Sequence, residues 1–96
     1  MQEELEPTHP RVGRGRLRAK RESGALIELE DSSHWAISPG HEIYTQHWGD
    51  TAEVTVVPGD FAGYPYDLIN VDSGDRVPAR YLGYANPAFG WNLLDD

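Results

Sequence analysis

Residues 12–30 read VGRGRLRAKRESGALIELE, and their alternation decides the fold class. Gly13, Gly15, Leu17 and Ala19 fall on one side of an extended chain. Arg14, Arg16, Arg18 and Lys20 fall on the other, because successive strand side chains point to opposite faces. Glu22-Ser23-Gly24 interrupts the pattern, and Ala25, Ile27 and Leu29 resume it. A three-residue loop, a type I turn closed by a left-handed glycine, sets Ala19 against Ile27 and Leu17 against Leu29. The same register puts Arg18 opposite Glu28 and Arg16 opposite Glu30. Apolar pairs then share one face and opposite charges the other. A two-residue loop would break both sets together.

Outward from this hairpin the punctuation continues. After a turn at residues 30–33, residues 34–37 form a strand with Trp35 and Ile37 inward and His34 outward. Ser38-Pro39-Gly40 ends it. Residues 41–48 fit either an extended crossing or a single helical turn. Residues 51–57 are a strand with Ala52, Val54 and Val56 on one face, closed by Pro58-Gly59-Asp60. An aromatic loop at 61–65 precedes a second hairpin, 66–71 and 76–81, around Asp72-Ser73-Gly74. Pro78 lies inside the last strand, so it belongs at an edge or a bulge. Five to six short antiparallel strands with frequent turns predict an all-β domain, a single small, partly open barrel of the SH3-like or OB-like kind. The division expected is a flexible acidic lead at 1–10, the barrel at 11–82 and an irregular apolar tail at 83–96. No internal repeat or low-complexity segment interrupts this plan.

Composition agrees with a small globular domain: 96 residues, 39% hydrophobic, ten Gly and seven Pro. Cysteine is absent, which excludes disulfides and thiolate metal sites. No segment is apolar for long enough to span a bilayer, so no membrane insertion is expected. The first ten residues lack the basic and apolar regions of a signal peptide. Cytoplasmic is the default location; a mature exported domain would read the same. The formal net charge is −8, unevenly spread. Residues 11–21 carry six of the eight basic residues, while from residue 25 onward Arg76 and Arg80 face twelve acidic ones.

Three stretches carry a resemblance: residues 29–37 (LEDSSHWAI), Trp48-Gly49-Asp50 leading into a valine strand, and residues 64–70 (YPYDLIN). Together they resemble a group of small uncharacterised bacterial β proteins with the patterns L-x-D-G-S-x-W, W-x-x-G-D-x-V and Y-P-Y-x-L-x-N. This chain has Ser32 where that group tends to have Gly. The resemblance implies a barrel and brings no activity with it.

Three sets of residues are candidates for function. Arg14, Arg16, Arg18 and Lys20 present cations at a spacing that suits a phosphate backbone or an acidic partner. The acidic remainder of the chain disfavours nucleic acid, and Glu28 and Glu30 are placed to neutralise the patch. Trp35, Trp48, Tyr64 and Tyr66 form a candidate aromatic face for stacking a base, a small molecule or a carbohydrate. Tyr84, Phe89, Trp91, Leu93 and Leu94 make the tail a candidate for docking on a protein partner or a second subunit. The alternative for the tail is to plug its own barrel, with Asn86-Pro87 starting a short helix.

Catalytic and metal signatures are not legible. His34, His41 and His47, with Glu42 and Asp50, match no compact ligand motif. No serine lies in a nucleophile elbow. Gly13 and Gly15 lack the third glycine and the helix of a dinucleotide site. Asp72 and Asp75 flank a turn, where Asp is favoured for backbone capping, rather than forming an acid–base pair with Asp67. The expectation is therefore a non-catalytic protein–protein interaction module or accessory subunit without cofactor or metal. Single-stranded nucleic-acid binding and small-molecule or carbohydrate binding are the rivals.

Overall fold

The structure, a computed structural model, describes residues 12–84. Six strands follow in order: β1 (Gly13–Arg21), β2 (Leu26–Leu29), β3 (Ser33–Ile37), β4 (Glu53–Phe61), β5 (Tyr64–Asn70) and β6 (Arg76–Tyr84). One helical turn, α1 (Glu42–Thr45), lies between β3 and β4. The all-β barrel expected from the alternation is present, and it is closed rather than partly open, in the order β1-β2-β3-β6-β5-β4. Closure comes from β1. Its first half pairs with β4, from Gly13↔Val56 to Arg16↔Glu53, and its second half with β2. One long strand thus joins two three-stranded meanders.

Inward positions repeat at every second residue and fill the barrel. Leu17, Ile27, Leu29, Trp35, Ile37, Val54, Val56, Leu68, Val77 and Ala79 are buried, and Trp48 joins them from the segment after α1. Each large side chain removed from water contributes roughly 1.5–3 kcal/mol. Three prolines lie within strands: Pro65 of β5 has no partner on β4 or β6, and the other two stand where they break no rung. Pro58 lies past the last β1–β4 pair at Val56, and Pro78 past the last β3–β6 pair at Ile37↔Ala79. β4 and β5 extend further than their sequence suggests, and a bulge between Pro58 and Phe61 absorbs the irregularity. β6 likewise runs on to Tyr84, two residues into the expected tail.

The first hairpin needs a correction. Leu17 does pair with Leu29, but Ala19 faces Glu28 and Lys20 faces Ile27, with the register slipping between Leu17 and Ala19. The loop is longer than expected, since Arg21 pairs with Leu26. It also runs left-handed through Glu22, Ser23 and Gly24, at φ 55°, 56° and 95°, in place of a type I turn. A bulge at Arg18 takes up the extra residue and turns the end of β1 over.

One end of the barrel is closed by the chain between β3 and β4. Thr45 is fully buried and donates from Oγ1 to the carbonyl of Gly24 at 2.6 Å. The backbone of Gln46 comes so close that a Cβ at Gly24 would sit 2.7 Å from its nitrogen. Residues 41–48 are thus a single helical turn that plugs the barrel. The part expected of residues 85–96 in such a plug lies outside the described residues.

Candidate functional site

The basic strand does not present four parallel cations. The bulge sends Lys20 to the face of Ile27, and its ammonium donates to the carbonyls of Gln46 at 2.9 Å and Trp48 at 2.6 Å. Arg18 spans the β2–β3 turn, donating to the Glu30 carbonyl at 2.6 Å and to Ser32 Oγ at 3.0 Å. Its guanidinium also stands 3.8 Å from Glu28, the charge pair anticipated from the register. Arg16 runs beside Glu30 only through backbone; its guanidinium donates to the Thr51 carbonyl at 3.1 Å. Arg14 reaches Glu53 at 3.2 Å in an exposed ion pair. Each cation is committed to a carboxylate or a carbonyl within the barrel.

The four rings expected to make one aromatic face are split between core and surface. Trp35 is fully buried, donates from Nε1 to Ser33 Oγ at 2.9 Å, and packs against Tyr66 and Tyr81. Ser33 in turn donates to Asp31 Oδ1 at 2.6 Å. This chain of donors satisfies a buried indole in the way buried polar groups require. Trp48 is also buried, with Nε1 donating to Asp75 Oδ2 at 3.0 Å. Tyr66 packs on the core, so Tyr64 alone belongs to a surface group.

That surface group contains rings the alternation did not single out. His41 meets Phe61 edge-on at 5.7 Å between centroids and Tyr44 at 6.5 Å. Phe61 continues to Tyr64 at 6.3 Å, and Arg80 lies over the Tyr64 ring at 5.5 Å. Tyr44 and Phe61 remain 44% and 48% exposed. The signal for this strip was present as the aromatic loop at 61–65. Its partner from α1 was not legible, because a ring's position on a single helical turn has no periodicity to reveal it.

The histidines separate. His34 is buried on β3 opposite Glu28, its Nε2 3.8 Å from the carboxylate, where an outward and exposed ring was expected. Burial pushes it below the ordinary histidine value. Glu28 and a backbone hydrogen bond to Gly83 oppose that shift, and Arg18 and Arg21 add to it. His41 belongs to the aromatic strip, and His47 is exposed. Among the described residues no three His, Asp or Glu side chains are grouped to hold a metal.

The aspartates are engaged separately too. Arg76 donates to the buried Asp67 at 2.7 Å, while Asp75 holds Trp48. Of the tail candidates, Tyr84 closes β6, and Phe89, Trp91, Leu93 and Leu94 lie outside the described residues. Among the described residues no helix is long and apolar enough to cross a membrane. Comparison of the chain with protein-family models, curated proteins and solved structures finds no match.

Proposed function

We propose that this barrel is a non-catalytic interaction module that docks a protein partner of basic character on the strip formed by Tyr44, His41, Phe61 and Tyr64. The observation that carries the reading is the exposure of Tyr44 and Phe61 within a connected row of rings. Exposed aromatics of this kind supply large contact area at low entropic cost and dominate interface energetics. Ile43, 54% exposed on α1, adds apolar surface. Charge selects the partner. The chain carries −8, and Asp60 beside Phe61 makes no ion pair among the described residues, so a basic surface is steered toward the strip. Nucleic acid, which the basic strand had suggested, gains no support from cations already bound within the barrel.

The test begins with proteins retained by the full-length chain from its native host, followed by affinity measurement with the purified candidate. Phe61→Ser and Tyr44→Ser should each weaken binding about tenfold or more, as hot-spot rings do, and added salt should weaken it further. Wild-type affinity in both variants overturns the reading. Retention of a second copy alone, by sedimentation, overturns the choice of occupant.

A further inference from the structure

One end of the aromatic strip already holds a cation. Arg80, exposed on β6, has its guanidinium 5.5 Å above the centroid of Tyr64 and makes no ion pair among the described residues. Elsewhere in the barrel cations are held by oxygen. Arg14 and Arg76 go to carboxylates, Arg16 and Lys20 to carbonyls, and Arg18 to both. Arg80 therefore shows the contact that the rings of this surface offer, a π-face that accepts a planar cation.

Further along the row that face is free. Tyr44 and Phe61 are half-exposed, and the Phe61 centroid stands 6.3 Å from Tyr64 and 5.7 Å from His41. Asp60, the preceding residue, is exposed, with no ion pair or side-chain hydrogen bond among the described residues. The bulge between Pro58 and Phe61 breaks strict alternation here, so Asp60 is not confined to the face opposite Phe61. A guanidinium can use a ring and a carboxylate together. Its weakly hydrated plane lies on the ring while N–H groups in that plane donate to the carboxylate. An ammonium is strongly hydrated and has no plane to stack. Glu42 on α1, beside His41, and the net charge of −8 favour a cation further and repel an acidic segment.

We infer that the docked partner presents arginine to the strip, with a guanidinium on the face of Phe61 or Tyr44 and paired with Asp60. This rests on the docking reading above and names the residue type that is recognised.

Backbone amide NMR of the full-length protein tests it. The probe is an acetylated, amidated peptide of alternating glycine and arginine, compared with the same peptide carrying lysine or citrulline in place of arginine. The arginine peptide should give saturable shifts centred on residues 41–44 and 60–64. The lysine peptide should bind about fivefold more weakly, and the uncharged citrulline peptide more weakly still. Phe61→Leu keeps apolar bulk but removes the ring, so it should weaken arginine binding about fivefold and erase the preference over lysine. Asp60→Asn should weaken it about tenfold, the loss of one charge-assisted hydrogen bond. Both positions are exposed, so amide shifts elsewhere in the variants should match the wild type. No saturable shift, equal affinity for the arginine and lysine peptides, or wild-type affinity in either variant overturns the inference. So do shifts centred on Asp50, Asp72 and Asp75, the mark of general charge attraction. The docking surface itself survives any of these results if a native partner still depends on Phe61 and Tyr44.

Discussion

Thr45 Oγ1 and the carbonyl of Gly24 are joined by a 2.6 Å hydrogen bond that fastens α1 to the first hairpin turn. The contact forces residue 24 to be glycine, since its φ is +95° and a Cβ would overlap Gln46. Gly24→Ala should cost about 2–4 kcal/mol in urea unfolding, adding a left-handed penalty to a steric one. Thr45→Val, which leaves the carbonyl buried without its donor, should cost about 1–3 kcal/mol. Stability unchanged in Gly24→Ala would show that the plug does not press on the turn.

Lys20 and Arg14 share a strand but not a role, and stability measurements should separate them. Lys20→Met strands the carbonyls of Gln46 and Trp48 and should cost about 1–3 kcal/mol. Arg14→Gln breaks an ion pair whose arginine is 78% exposed, so its effect should stay below about 0.5 kcal/mol. Equal losses would restore the uniform basic face.

His34 makes stability depend on pH. Its folded value lies below the unfolded value of about 6.5 because burial disfavours the charged ring. The folded state then binds fewer protons, so stability is full above pH ~6.5 and declines as pH falls toward the folded value. His34→Gln should flatten this decline between pH 7.5 and 5.5 in urea titrations. A wild type and variant that fall in parallel would assign the slope to other groups.

Core rings and surface rings should respond oppositely. Trp35→Phe leaves a void and removes the donor to Ser33, costing about 1–3 kcal/mol. Phe61→Ser, at a position 48% exposed, should shift the melting temperature little. A large loss in Phe61→Ser would make the aromatic strip part of the core.

The barrel was legible because alternation survives in each strand: Leu17, Ile27, Leu29, Trp35, Val54 and Val56 all turn inward as their spacing requires. The bulge at Arg18 was not, since a single extra residue leaves no mark in composition and is decided by the left-handed path through Glu22 and Ser23. That one residue misplaced Lys20 and with it the expected cationic face. Trp48 was misread for a related reason. A ring on an irregular segment can reach the core or water, and its burial follows from where α1 docks rather than from its neighbours in sequence. A polar cleft beside the start of β4 joins residues more than fifty positions apart, from Arg16 to Asp75. Two pairings in succession bring them together, Arg16↔Glu53 between β1 and β4 and Val54↔Asn70 between β4 and β5.

Because β1 pairs on both sides, every described strand has two neighbours. Among the described strands none has a wholly open edge, so strand addition is confined to strand ends such as Val57–Phe61 of β4, beyond its last pair with β1. The same ring closure withholds the template on which partially unfolded copies would stack into fibrils, so fibre formation requires the barrel to open first.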